Sequence, residues 1–257
     1  MKTGLIFILF TFITISCLNA QRNCVSKSYQ LEAFAKDAAL KNNVVAIESF
    51  IARQQTQNTT EGNRIESTII KIPVVVHILY HSPEQKLTDA VVQNQVKILN
   101  EAFRKQNADT ANIPARFKAL AADCEIEFQL ATSDPKRRYT NGITRKYTPI
   151  KEWEANDEMK YAAKMGTDAW DPKSYLNIWV CKLDNVSGYS SVIGGTTEND
   201  GIVLDFNAFD LNGTSAVSNL GKTVVHEVGH WLGLKHLWGD EYCGDDGITD
   251  TPKQSGN

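Results

Sequence analysis

The sequence predicts an α/β or α+β domain built on a sheet with few helices, and three observations carry that prediction. One stretch near residue 70 is apolar and β-branched over most of its length, as a strand inside a sheet would be. Several shorter stretches downstream have strand patterning. Only two segments beyond residue 67 repeat apolar residues at helical spacing. The resulting order is strand, helix, several strands, helix.

The first strand covers residues 69–80, with Ile70, Ile72, Val74, Val75, Val76, Ile78 and Leu79 reading as buried on both faces. Pro73 falls near its start, where a missing N–H matters least. Residues 88–106 place Val92, Val96, Leu99 and Phe103 on one face of an amphipathic helix. Residues 125–131 alternate Ile126, Phe128 and Leu130 inward, as a half-buried strand does. Residues 142–148 and 175–183 are further strands, and 201–205 is a short one. Residues 188–195, bounded by glycine, read as an exposed edge or loop. The last helix covers residues 222–234.

Upstream, residues 29–53 have helix-forming composition with a broken apolar stripe, and residues 54–63 are a polar linker. A small N-terminal segment is thus tethered to a larger domain. Before it, Lys2, an apolar run from Leu5 to Ile15 and the small residue Ala20 form an export signal cleaved after Ala20. The run is too short to span a bilayer, so no transmembrane segment is expected. A second reading makes Cys17 a lipid-carrying first residue, and either reading exports the chain.

The net charge of −3 gives no electrostatic reason to expect a nucleic-acid partner. An exported chain keeps Cys24, Cys124, Cys181 and Cys243, which an oxidising compartment allows to pair in three ways. None forms a C-x-x-C pair, which argues against a cysteine-based zinc module.

The chemistry is concentrated in His226-Glu227-Val228-Gly229-His230-Trp231-Leu232-Gly233-Leu234-Lys235-His236. Histidines four apart stand one helical turn above each other, so both imidazoles can reach one metal ion. Gly233 is the residue type that ends a helix in a left-handed conformation, and a turn there swings His236 toward the same ion. Three neutral nitrogens with a fourth position open describe catalytic rather than structural zinc. Glu227 lies where it can take a proton from zinc-bound water as the oxygen attacks a carbonyl, which makes peptide-bond hydrolysis the natural reaction. Chance would produce this spacing with odds on the order of one in 100,000. A catalytically dead zinc-binding module and a zinc hydrolase acting on non-peptide substrates are the alternatives; retention of Glu227 disfavours the first.

This stretch resembles the long zinc motif of the metzincins, and within them the pappalysin group that includes ulilysin, with Leu237 after the third histidine as that group has it. The resemblance extends to residues 71–77, 176–180 and 249–252. It implies a zincin-like fold: a twisted five-stranded mixed sheet with an active-site helix and a backing helix. It also implies a metalloendopeptidase acting on protein or peptide substrates that pair with an edge strand near Gly188 and Tyr189. Cys24 resembles a zinc-ligating cysteine of a pro-segment, which makes residues 21–66 the enzyme's own inhibitor, with Arg64 a processing point. The thiol alternatively pairs or stays free. Residues 67–257 are then the catalytic domain. Asp245, Asp246, Asp250 and Thr251 form a candidate calcium set, as some relatives bind calcium there, although a plain acidic turn fits as well. The family's methionine turn lies downstream of the zinc motif, whereas Met1, Met159 and Met165 all lie upstream. The chain is therefore expected to be part of a longer protein whose remainder shapes the S1′ pocket.

Overall fold

The computed structural model describes residues 24–58, 68–209, 221–248 and 251–254. The export signal, Cys17 and Arg64 lie outside the described residues. Two helices, α1 (Ser26–Lys36) and α2 (Ala38–Asn58), precede the sheet. Then come β1 (Ile70–Tyr80), α3 (Asp89–Phe103), β2 (Ile126–Leu130), β3 (Ile143–Tyr147) and β4 (Leu176–Cys181). They are followed by β5 (Gly188–Ser190), β6 (Ile202–Asp205), the short α4 (Phe206–Phe209) and α5 (Lys222–Trp231).

The length of β1 organises the sheet. Its first half pairs with β2 and its second half with β3, both parallel and on the same side. β4 pairs parallel along the other side, followed outward by β6 and then by antiparallel β5. Six strands therefore occupy five positions, since β2 and β3 share one edge of β1 end to end. The expected five-stranded mixed sheet is this one.

Six successive residues of β1, 74–79, are buried, as a strand covered on both faces requires. Val74, Val76 and Ile78 face a core shared with Ile178, Leu204, the α3 residues Val92, Leu99 and Phe103, and Val224 and Val228 of α5. Leu79 belongs to a second cluster on the opposite face, with Trp153, Met159, Trp179, Tyr189 and Val203. Each fully buried aliphatic or aromatic side chain contributes roughly 1.5–3 kcal/mol. The two layers thus hold α5 in a fixed relation to the sheet, and α3 is the helix that backs it.

Several features differ from the sequence-based expectation, beginning with α2, which continues through Asn58 into the stretch read as a polar linker. The N-terminal helical stretch begins at Ser26 and is two helices, because Asp37 is extended (φ −139°) and its carboxylate accepts from Ala39 N at 2.8 Å as the cap of α2. The last helix stops at Trp231, two residues before Gly233. Gly188–Ser190 is an edge strand but buried, because α1 lies over it. The four cysteines are unbonded: Cys181 is enclosed in the sheet core, Cys24 is engaged by histidines, and Cys124 and Cys243 are exposed. The disulfide expectation is thus unmet among the described residues.

Candidate metal centre

α5 carries His226 and His230 on one face, and their Nε2 atoms lie 3.1 Å apart. What brings the third histidine back is the end of the helix. Gly233 adopts φ +94°, its N–H donates to His230 O at 2.9 Å, and Leu234 N–H donates to Gly229 O at 2.9 Å. That pair of bonds is a Schellman turn, which needs a residue free to take positive φ. The reversed chain sets His236 Nε2 3.2 Å from both other Nε2 atoms.

The fourth group comes from the other end of the chain. Cys24 Sγ lies 3.6 Å from His230 Nε2, and the sulfur and three nitrogens all lie within 4.8 Å of one another. A tetrahedral zinc ion with Zn–N of roughly 2.0–2.1 Å and Zn–S of about 2.3 Å requires N···N near 3.3 Å and S···N near 3.5 Å. The donor set fits that ion in number, type and spacing. Among the described residues it is the one group of three or more His, Cys, Asp and Glu that converges in this way.

Two of the imidazoles are oriented from behind. His230 Nδ1–H donates to Leu234 O at 2.8 Å, leaving Nε2 with its lone pair toward the centre. His236 Nδ1 contacts Asp240 Oδ1 at 2.5 Å, and its ring stacks on Trp238 at 4.5 Å between centroids. Burial alone would raise the Cys24 thiol, but hydrogen bonds from His226, His230, His236 and Ser26 outweigh it and hold Cys24 down to about 3. The hydrogen bond to Cys24, helped by Asp240 and opposed by burial, raises His236 to about 9. A bound metal would take the place of that proton.

Glu227, between the two helical histidines in sequence, is 1 % exposed. Burial first, and then the negative charge of Cys24, push its carboxyl well above the usual range, against a hydrogen bond from Ser26. That bond, Ser26 Oγ to Glu227 Oε2, is 3.1 Å long. Gly188 permits the close approach of α5 to the edge strand, since a Cβ there would sit 3.1 Å from Glu227 Cγ and 2.8 Å from Leu204 Cδ2. Ser190 N–H donates to Ser26 Oγ at 3.3 Å, so α1 takes up a hydrogen bond from the strand next to the centre. α2 closes the far side, with Val44 buried and Glu48 paired to Lys235 at 2.8 Å.

The remaining candidates lie elsewhere. Asp246 accepts from Thr251 Oγ1 at 2.8 Å and from Ile248 N at 2.9 Å, and Asp245 accepts from Gly247 N at 2.7 Å. These carboxylates close their own turn, and no calcium-ligating set converges there among the described residues; Asp250 lies outside them. His77 is enclosed between Thr144 and Asn177, and His81 contacts Thr148 O, both structural as the sequence suggested. Sequence reasoning missed Ser26 and Asp240. Asp240 had a signal, as a carboxylate four residues after a metal-type histidine; Ser26 had none.

Residues 159–257 match the profile of the peptidase family described as pregnancy-associated plasma protein-A. An extracellular metalloprotease of Verticillium alfalfae is 30 % identical over 224 residues, 82 % of this chain and 67 % of that protein. The chain spans about two thirds of the length of the first curated relatives it matches. Mature mirolysin of Tannerella forsythia, solved with a cleaved peptide, is 44 % identical with a TM-score of 0.70, covering 74 % of this chain and 73 % of that one. A mutant of promirolysin from the same organism is 37 % identical with a TM-score of 0.75, covering 91 % of this chain and 76 % of that one. This chain belongs to the pappalysin-type metzincin metalloproteases, the peptidase family of pregnancy-associated plasma protein-A.

Proposed function

We propose that the chain is the latent precursor of an exported zinc endopeptidase, in which His226, His230 and His236 hold zinc and Cys24 occupies the fourth position until its segment is removed. The observation that carries this reading is the convergence of Cys24 Sγ with three Nε2 atoms within 4.8 Å. A thiolate is a good zinc ligand, and a pro-segment that supplies one excludes water from the site. The larger share of the chain covered by promirolysin than by mature mirolysin supports reading residues 21–66 as a removable pro-segment. Export is supported by relatives named extracellular metalloproteases. No helix among the described residues is long and apolar enough to cross a membrane.

Zinc, when bound, supplies Lewis acidity toward a substrate carbonyl and acidifies water. The rest is the work of the chain. Departure of Cys24 removes the negative charge that raises Glu227, and departure of Ser26 frees both Glu227 Oε2 and the Ser190 N–H. Glu227 then serves as general base toward the attacking water and returns the proton to the leaving amine. The N–H of Ser190 and the backbone of Gly188 face away from β6 and offer an extended peptide the hydrogen bonds of an edge strand, while the Tyr189 backbone is turned toward Val203 of β6.

The test is hydrolysis of an unfolded protein by the zinc-loaded chain after limited trypsin treatment, beside Glu227→Ala and a chelated sample. Loss of cleavage in both comparisons is expected. Cleavage that survives Glu227→Ala sinks the role of that residue. One zinc bound per chain without any cleavage favours a binding module.

A further inference from the structure

Tyr29, on the helix that covers the edge strand, reaches across β5 to the face of the sheet opposite the metal centre. Its hydroxyl donates to Asp157 Oδ2, and its ring lies 4.9 Å from that of Tyr189, tilted by 42°. Asp157 is otherwise an internal group of the sheet domain. Its carboxylate is paired with Lys160 Nζ at 2.8 Å and accepts from Tyr189 OH at 3.1 Å and from Asn199 Nδ2 at 2.8 Å. Lys160 is fully buried, and Asp157 is 7 % exposed. The sheet domain thus presents a carboxylate whose last donor is supplied by a segment that leaves.

The chemistry of that slot selects its occupant. Asp157 is already neutralised by Lys160, whose Nζ stands 5.9 Å from the Tyr29 ring centre, so a second cation would meet like charge. An anion would meet Asp157 itself. The wall is the face of Tyr189, with the Lys160 ammonium 5.3 Å from that ring and from Trp179. A flat, neutral aromatic group with one hydrogen-bond donor at its far end satisfies all of these conditions. In the full chain a surface cavity of about 280 Å³ between α1 and the sheet domain, with Tyr29 and Asp157 in its lining, gives the slot an opening.

Its position relates the slot to substrate. From Cys24 at the metal centre, through Ser26 on the Ser190 N–H, to Tyr29 beside Tyr189, the pro-segment runs over the edge strand. One residue step from Cys24 and the helical turn from Val25 to Tyr29 cover about 10 Å, the reach of roughly three residues of extended peptide. We infer that, once the pro-segment is released, the slot formed by Asp157, Lys160, Tyr189 and Asn199 is a substrate subsite that takes a tyrosine side chain about three residues from the scissile bond. This rests on reading residues 21–66 as a removable pro-segment. Burial notwithstanding, the Lys160 charge keeps Asp157 below the usual carboxylate range, so the acceptor is ionised at neutral pH.

The experiment has two arms. In the first, the full chain carrying Tyr29→Ala, which empties the slot and leaves the sheet domain unaltered, is titrated with p-cresol and with toluene by calorimetry. Saturable p-cresol binding, at least about tenfold tighter than toluene and absent from the wild type, is expected, because a hydrogen bond to a charged acceptor supplies that margin. Equal or undetectable binding overturns the proposal whatever the peptidase activity. In the second arm, the trypsin-processed wild type is given peptides that differ only in Tyr, Phe or Lys three residues to either side of the cleaved bond. A kcat/KM about tenfold higher for Tyr than for Phe, with Lys lowest, is expected on one side. Cleavage indifferent to this residue overturns the subsite while leaving the peptidase reading standing. No cleavage of any peptide overturns the peptidase reading, and the subsite with it.

Discussion

His230 Nδ1 lies 2.8 Å from the carbonyl oxygen of Leu234, so the turn that ends the zinc-motif helix also orients one of its histidines. The Schellman turn at Gly233 has two consequences from one backbone conformation. It carries the chain round to His236, and it points a carbonyl at the back of His230, which fixes the tautomer whose Nε2 lone pair faces the centre.

Replacing Gly233 tests that coupling. The residue has φ +94°, and an added Cβ would lie 3.2 Å from Ile193 Cδ1. Gly233→Ala should cost about 1–2 kcal/mol from the backbone alone, since an L residue is strained there. The expected outcome is a melting temperature lower by about 2–8 °C, together with zinc affinity weakened by tenfold or more. Calorimetry and competition with a chromogenic chelator measure the two. A lower melting temperature with unchanged zinc affinity would show that His236 finds the metal without this turn.

Asp240 should act on a bound metal through His236. Its Oδ1 is 2.5 Å from His236 Nδ1, while its side chain is no member of the converging donor set. Asp240→Asn keeps the shape and removes the charge, and a lost outer-shell carboxylate typically weakens metal binding about 10–100-fold. Zinc titration against a chelator is the check, with circular dichroism to establish that the fold is retained. Unaltered affinity would reduce Asp240 to a surface contact.

Much of this arrangement was legible in the chain. The i, i+4 spacing of His226 and His230, the glycine three residues on and the apolar runs of β1, α3 and β4 are local patterns, and each found its place. The centre of the sheet was readable because burial on both faces leaves a continuous apolar record in Val74, Val75, Val76, Ile78 and Leu79. What was not readable joins distant segments. Cys24 meets His230 across 206 residues, and only a family resemblance suggested it. The buried Asp157–Lys160 pair looks like solvated surface in sequence, because a charge buried with its partner leaves no periodic signature. The burial of Gly188–Ser190 was missed for the same reason, since its cover, α1, lies more than 150 residues upstream.

Latency itself should depend on one sulfur. Zinc-loaded full-length Cys24→Ser should hydrolyse an unfolded protein before any trypsin treatment, at a rate at least about tenfold above the untreated wild type, because a serine hydroxyl is a poor zinc ligand at neutral pH. It should remain below the processed enzyme, since Ser26, Tyr29 and the Glu48–Lys235 pair still hold the segment in the cleft. Initial rates before and after trypsin decide this. An untreated variant as silent as the wild type would assign latency to coverage of the cleft rather than to the thiol.

His77 should give the fold its own acid sensitivity, apart from the metal centre. It is fully buried, with Nδ1 2.9 Å from Thr144 Oγ1 and Nε2 3.1 Å from Asn177 Oδ1, and those neighbours suit the neutral ring. Burial, opposed by the Asn177 contact, lowers His77 to about 4. The unfolded chain therefore binds a proton at this residue between about pH 6.5 and 4 while the folded chain does not, so stability is complete above that window and falls as pH drops through it. The span corresponds to about 3 kcal/mol. Urea unfolding of the metal-free chain at pH 7.5 and 4.5 should show a loss about 2–3 kcal/mol larger in the wild type than in His77→Gln, which has no proton to gain. Because every other ionisable group is common to the two proteins, the difference isolates His77. Equal losses would mean that the ring is protonated inside the fold, with Asn177 Oδ1 and Thr144 Oγ1 accepting from both nitrogens.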